Sequence, residues 1–276
     1  MLGAVASVGD ALGLATATFE AANVDLPQLD AELLLAEVLA VGRAELHADP
    51  GRELEQSQSE AFERLVQRRR SREPLAYILE RAHFRNLELH VDQRVLIPRP
   101  ETELLVETAL DGQRVLDIGT GSGAIALAIA RERVGVRVTG IDNSPGAIEV
   151  SRANAAALGV EVELMIADLI VGGPYDLIVS NPPYVRDGEW AGLQPEITLY
   201  EPQEALLAGS DGLDVIRDLV PAAAAVLTRG GTLAVEIGQG QSREVESLFE
   251  RAGLRGLKTP RDLAGMPRVV TGRRRP

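Results

Sequence analysis

The chain has 276 residues, no cysteine and a formal net charge of −13. That length suits two domains better than one. The missing cysteines exclude a disulfide framework, a thiolate nucleophile and any Cys-ligated metal, and the acidic balance argues against a main partner held through its phosphates. His47, His83 and His90 lack metal-site spacing, so no metal is expected. No apolar stretch reaches membrane-span length, and the N-terminus carries no basic region followed by a cleavable apolar core. The expectation is a cytosolic (cytoplasmic) protein with no membrane partner. Basic residues are nearly all Arg, with Lys258 the single Lys. The local runs Arg68-Arg69-Arg70 and Arg273-Arg274-Arg275 read as a solvated helix face and a frayed tail. The lone Trp190 reads as a packing residue.

Residues up to Glu80 read as a small helical bundle. Asp25 with Gln28 gives an N-cap pattern, with Pro27 in the first turn. Leu29, Leu33, Ala36 and Ala40 then recur at helical spacing. Ser57 and Glu60 form a second capping box, and Phe62, Leu65, Val66 and Arg69 mark one helix face. From Ala82 the period changes. Leu87, Leu89 and Val91 alternate with polar residues as in a half-buried strand, and Asp92-Gln93 suggests a turn into Val95 and Ile97. This is read as a β-hairpin joining two domains. Ile97-Pro98-Arg99-Pro100 is stiff and extended, because a residue before proline is pushed out of the α region, and a helix follows through Leu104 and Leu105.

Beyond Gln113 strands and helices alternate, which implies a parallel sheet with helical crossovers. Apolar β-like runs fall at Val115–Ile118, Val136–Ile141, Val160–Ile166, Tyr175–Val179 and Thr232–Ile237. Helices are expected at Ala124–Arg131, Pro145–Leu158 and Leu213–Leu227. Val245, Leu248 and Phe249 mark one more helix, with short strands near Leu254–Lys258 and Arg268–Thr271. There is no internal repeat.

Two segments carry chemistry. Gly119-Thr120-Gly121-Ser122-Gly123 follows the first of these strands and opens a helix, whose N-terminus presents unpaired N–H groups. Asp142, about 20 residues on at the end of the next strand, is placed to accept hydrogen bonds from ribose hydroxyls. Ala124 also completes a dinucleotide pattern, so the glycine turn alone admits NAD as well as S-adenosylmethionine. The third strand runs into Asp168-Leu169, an acid able to accept from an adenine amine beside an apolar side chain able to cover the ring. The fourth ends abruptly at Asn181-Pro182-Pro183-Tyr184, since two prolines cannot continue a ladder. The Asn181 side-chain oxygen and the Pro182 carbonyl can accept the two N–H bonds of a flat, NH₂-bearing group, and the Tyr184 ring can lie against its plane. Such a group is an amide or an exocyclic amine, and a hydride transferase has no evident use for it.

The combination resembles class I S-adenosylmethionine-dependent methyltransferases, and within them is similar to the release-factor glutamine methyltransferases. The resemblance covers nearly the whole chain. It rests on Leu96 to Glu103 (LIPRPETE), Asp117 to Gly123 with Ala124-Ile125-Ala126-Leu127, and Ser180 to Tyr184. It extends through Glu201-Pro202 to Leu213 and through Asp262-Leu263-Ala264-Gly265 with Arg268-Val269. It implies a seven-stranded, mostly parallel Rossmann-like sheet with its last strand antiparallel. It also implies a helical substrate-docking domain over residues 1–80, a hairpin linker over 81–100 and a methyltransferase domain over 101–276. The activity implied is methylation of side-chain N5 of the glutamine in the Gly-Gly-Gln motif of class-1 peptide chain release factors. A ribosomal-protein glutamine or a nucleic-acid exocyclic amine (adenine N6, guanine N2) are the alternatives. By the same resemblance Gly119 to Gly123 hold the methionine part of the cofactor, Asp142 the ribose, and Asp168 and Leu169 border the adenine. Asn181 touches cofactor and substrate, Asn181 to Tyr184 grip the glutamine amide, and Asn181, Pro182 and Tyr184 are the expected catalytic set. A monomer with no stable nucleic-acid partner is expected.

Overall fold

The computed structural model describes residues 7–108 and 112–276. Its contacts divide into two compact units, one taking the chain up to Glu80 plus Gln194–Tyr200, the other Arg81–Leu193 plus Glu201–Pro276. This differs from a simple three-part division along the chain. The hairpin groups with the second unit, and a short piece of chain after the Asn-Pro-Pro-Tyr turn groups with the first.

In the first unit, helices Val8–Ala21, Pro27–Leu39, Arg43–Ala48, Gln56–Arg70 and Leu75–Ile78 enclose a core that includes Phe19, Leu34, Leu35, Leu54 and Phe62. Helix Pro27–Leu39 begins after Leu26 with no side-chain cap, not at Asp25. Its buried face holds Ala31, Leu34, Leu35 and Leu39 rather than Leu29, Leu33 and Ala40. The stretch is apolar almost all round, so spacing alone fits more than one face. The next cap is also displaced: Glu55 N–H donates to Gln58 Oε1 (3.0 Å), in place of a Ser57/Glu60 box.

The Arg68–Arg70 run is only partly a solvated face: Arg70 is exposed and Arg68 half-buried, but Arg69 turns inward. Arg69 is only 6% exposed. It donates to Asp30 Oδ2 (2.7 Å), to Glu196 Oε1 (2.9 Å) and to the Glu73 carbonyl (3.0 Å). Arg72 donates to the same Glu196 carboxylate (2.7 Å), and Tyr200 donates to the Ser71 carbonyl (2.9 Å). Helix Pro195–Tyr200 is therefore tied into this unit by buried charge. Buried charges are tolerated when paired in this way, and sequence spacing gave no sign of a partner 127 residues along the chain.

In the second unit, β1 (Arg81–Phe84) and β2 (Leu87–His90) form a hairpin with Phe84 opposite Leu87, so its turn is Arg85-Asn86 and not Asp92-Gln93. The segment Val95–Ile97 is not a strand. Arg85 takes a left-handed backbone (φ 51°), and its N–H donates to Glu103 Oε1 (2.8 Å). That long-range contact supports a left-handed residue that is Arg and not the usual Gly, Asn or Asp.

The main sheet contains β3 (Arg114–Ile118), β4 (Arg137–Asp142), β5 (Glu163–Ile166), β6 (Tyr175–Ser180), β7 (Leu227–Glu236), β8 (Leu254–Lys258) and β9 (Val269–Arg274). Their order is β5-β4-β3-β6-β7-β9-β8, with β9 antiparallel to both neighbours and the β5-to-β7 pairs parallel. This is the expected seven-stranded arrangement. Leu116, Ile118 and Ile178 face one apolar layer with helix Asp214–Val226, while Val115, Leu177 and Val179 face the other with helix Ala124–Glu132. Such two-sided burial is why the strands read as continuous apolar runs and not as alternations. The tail is not frayed: Arg273 and Arg274 belong to β9, and Arg274 donates to the Ala225 carbonyl (3.0 Å). β7 starts earlier than expected, and its register against β6 shifts across Thr228–Gly231, where Gly230 has φ +76°.

Candidate active site

β3 and β6 are parallel neighbours, and the chain leaves them to opposite sides: β3 continues to β4 and β5, β6 to β7. That is the topological switch at which open α/β sheets leave a crevice beyond the carboxyl ends of the strands. Ile118 pairs with Ser180 across it, and Ser180 Oγ donates to the Ile118 carbonyl (2.8 Å). The glycine loop and the Asn-Pro-Pro-Tyr turn thus begin at one level, side by side. The same edge carries Asp142 at the end of β4 and Asp168-Leu169 beyond β5, with Ala167 N–H on the Asp142 carbonyl (2.9 Å).

One cavity is lined by Gly119, Thr120, Gly121 and Ser122, by Asp142, Asp168 and Leu169, and by Asn181, Pro182 and Pro183. Ten of the twelve residues expected from sequence meet there. Gly123 and Tyr184 are not among the lining residues. Gly123 caps helix Ala124–Glu132 with φ +86°, and a side chain there would meet Leu127 Cδ1 at 2.9 Å and Ser151 Cβ at 3.2 Å. It is a packing glycine. Gly121 (φ +55°) is different, since a Cβ there would meet nothing within 4 Å and would project into open space.

The loop is shaped from beneath by Asp117, which is fully buried. Thr120 Oγ1 donates to Asp117 Oδ2 (2.6 Å) and the Ala126 N–H reaches the same oxygen (3.2 Å), while Oδ1 has no partner among the described residues. Burial pushes this carboxyl up to about 7. Asp142 accepts from Gly121 N–H (2.9 Å) and from Ser144 N–H (2.9 Å), one on each oxygen. Each oxygen keeps a further lone-pair direction for a ligand hydroxyl. Burial raises its pKa above the ordinary carboxylate value, against the two amides that favour the charge. Loop, acid and open space fit an adenosyl cofactor.

On the other wall, Pro182 is buried and Asn181 half-buried. Asn181 Nδ2 donates to Thr102 Oγ1 (3.1 Å). Tyr184 donates to Glu236 Oε1 (3.2 Å), and burial followed by the Glu236 charge holds its phenol above the ordinary tyrosine range. Gln241 Nε2 grips the Tyr184 carbonyl (3.0 Å). Glu201, buried, accepts from Ile97 N–H (3.3 Å) and pairs with Arg99, fixing the extended stretch before Thr102.

Thr102, Glu201, Glu236 and Gln241 had no role assigned from sequence. Thr102 and Glu201 lie inside the matched LIPRPETE and Glu201-Pro202 segments. Nothing in local spacing marks Glu236, at the end of an apolar strand, or Gln241. Among the described residues no cluster of His, Asp or Glu could hold a metal, and no helix is long and apolar enough to cross a membrane.

Residues 10–79 match the family described as PrmC N-terminal domain, and residues 100–196 the Methyltransferase small domain. The release factor glutamine methyltransferase of Rhodospirillum rubrum is 41% identical over 263 residues, covering 92% of this chain and 81% of that protein. That of Mycolicibacterium smegmatis is 42% identical over 277 residues, covering 96% of each. The chain belongs to the release factor glutamine methyltransferase family. A solved methyltransferase of Pyrococcus furiosus shares the fold of the sheet (TM-score 0.54, 18% identity, 70% of this chain and 91% of that one). Members of this enzyme family transfer a methyl group from S-adenosylmethionine to a release-factor glutamine.

Proposed function

We propose that this protein methylates side-chain N5 of the glutamine in the Gly-Gly-Gln motif of class-1 release factors, in the cytoplasm, as a monomer and without a stable nucleic-acid partner. The observation that carries the reading is the pairing of Ile118 with Ser180, which sets a nucleotide-type glycine loop and an amide-gripping turn side by side on one cavity. Residues 1–80 are the proposed docking domain for the substrate protein.

Bound S-adenosylmethionine supplies an activated, electrophilic methyl group. Gly119 to Ser122 would line its methionine end, Asp142 would take the ribose hydroxyls, and Asp168 with Leu169 would border the adenine. An amide nitrogen is a poor nucleophile because its lone pair is delocalised into the carbonyl. Asn181 Oδ1 and the Pro182 carbonyl accept its two N–H groups and hold the nitrogen in line, with Tyr184 behind the turn. Positioning of this kind contributes roughly 7–11 kcal/mol in favourable cases.

Incubation with methyl-labelled S-adenosylmethionine, purified release factor and bulk RNA and DNA tests the reading. Label should appear in the release factor and vanish when its Gly-Gly-Gln glutamine is changed to asparagine. Label only in nucleic acid, or in a ribosomal protein, overturns it.

A further inference from the structure

The cavity has a wall that belongs to neither motif. Arg94, Val95, Leu96 and Pro98, from the stretch after the hairpin, line it together with the glycine loop. One side chain on helix Pro145–Leu158 bonds to both the loop and the root of this wall. Asn154 is 2% exposed. Its Oδ1 accepts from the His90 N–H (2.7 Å), and its Nδ2 donates to the His90 carbonyl (3.0 Å) and to the Ser122 carbonyl (2.9 Å). A carboxamide has one oxygen and two N–H groups, so every polar atom of this one is engaged. The neighbours also settle which way it faces. Turned over, it would set NH₂ against an N–H and oxygen against two carbonyls.

His90 ends β2 and pairs with Arg81 of β1. Its N–H and carbonyl both go to Asn154, whose amide therefore stands where a further strand's peptide group would. From His90 the chain runs into the wall through Asp92, which accepts from Arg94 (2.6 Å). The same helix touches the wall and the loop elsewhere. Gly146 lets Arg94 pass closely, since a Cβ there would meet Arg94 Cδ at 3.3 Å, and Ser151 packs on Gly123. Arg94 also reaches Glu149 (3.0 Å), but that pair is solvent-exposed and worth little. The Asn154 bonds are buried and join wall to loop directly. We infer that Asn154 is a positioning residue for cofactor capture, tying the end of the hairpin to Ser122 and so setting the width of the cavity before the cofactor enters. A site held open in its bound shape avoids the cost of ordering it on binding. The inference rests on the glycine loop being the cofactor site.

Asn154→Asp keeps the volume and the acceptor for the His90 N–H but removes both donors. Asn154→Leu removes all three bonds. S-adenosylmethionine affinity is measured by calorimetry, well below the melting temperature of each variant. The loss of two neutral hydrogen bonds corresponds to roughly tenfold. Each variant should therefore raise cofactor Kd about tenfold, and cofactor KM with it, while release-factor KM at saturating cofactor stays near the wild-type value. An amide that only satisfies its buried neighbours predicts a lower melting temperature with Kd unchanged, and that result overturns the assignment. So does a rise in release-factor KM matching the rise in cofactor KM.

Hydrogen exchange supplies a readout that a merely structural role would not move. His90 does not line the cavity, yet coupling between sites is reciprocal. Bound cofactor should slow exchange of the His90 amide more than that of helix Ser242–Arg251 in the same unit. The extra slowing should vanish in Asn154→Asp, where the His90 N–H keeps its acceptor. Equal slowing at both places in the wild type, or extra slowing that survives in the variant, refutes the tie. Calorimetry and exchange use no methyl acceptor, so an error in the substrate reading leaves both results standing.

Discussion

Replacing Arg69 by methionine probes the buried charge that ties helix Pro195–Tyr200 into the first unit. Met keeps most of the side-chain volume and removes the guanidinium. The arginine side chain is 7% exposed, those of Asp30 and Glu196 are 9% and 12%, and the pairs lie at 2.7 and 2.9 Å. Removing one member of a buried pair leaves the other charge uncompensated, which costs about 3–5 kcal/mol. Glu196 keeps Arg72, so Asp30 bears most of that loss. The sign with pH follows from Asp30, whose carboxyl burial already holds above its ordinary 3.8 despite Arg69. A carboxyl with a native pKa above its unfolded one binds more protons when folded, so stability falls as pH rises from its unfolded pKa to its native one. Without Arg69 that rise is larger, and the deficit of Arg69→Met should be greatest near pH 7 and shrink toward pH 4. Urea unfolding at both pH values, with hydrogen exchange followed on the Pro27–Leu39, Gln56–Arg70 and Pro195–Tyr200 helices, measures this. Arg69→Met/Asp30→Leu should recover part of the loss. A deficit below about 1 kcal/mol near pH 7, the size of a surface pair, or one that grows toward pH 4, would refute the reasoning.

Asn181→Ala should abolish methyl transfer while leaving the melting temperature near that of wild type; full turnover by this variant would sink its role as acceptor. Tyr184→Ala should weaken capture of the release factor more than cofactor binding, and equal losses by calorimetry would contradict that. The loop glycines should separate. Gly123→Ala should cost about 1–3 kcal/mol of stability from crowding against Leu127 and Ser151 together with strain at φ +86°. Gly121→Ala should chiefly weaken cofactor binding, since its Cβ points into open space; the reverse pattern would show that the two positions have been misassigned. Because burial raises the Glu236 carboxyl from 4.5 to about 7, its ionisation destabilises the native state, and stability should decline as pH climbs across that interval. Melting curves of Glu236→Gln should show a weaker decline, and an identical pH dependence would remove Glu236 as its source.

The sequence by itself determined the sheet and the positions of its two motifs. Tyr175–Ser180 was legible to within a residue and Pro145–Leu158 to the residue, because a parallel strand buried on both faces is apolar throughout and because Pro145 and Gly159 bracket the helix. The glycine loop, Asp142 and the double proline were legible for the same reason: each restricts backbone or charge locally. What the chain could not reveal is everything set by partners distant along it. Arg69 finds Glu196 and not water, Arg85-Asn86 turns because Glu103 waits for the Arg85 amide, and Arg274 joins β9. The setting of the turn belongs to this second kind. Asn181 is written in a four-residue motif, but its amide is held by Thr102, 79 residues away in the chain and brought beside it only by the fold.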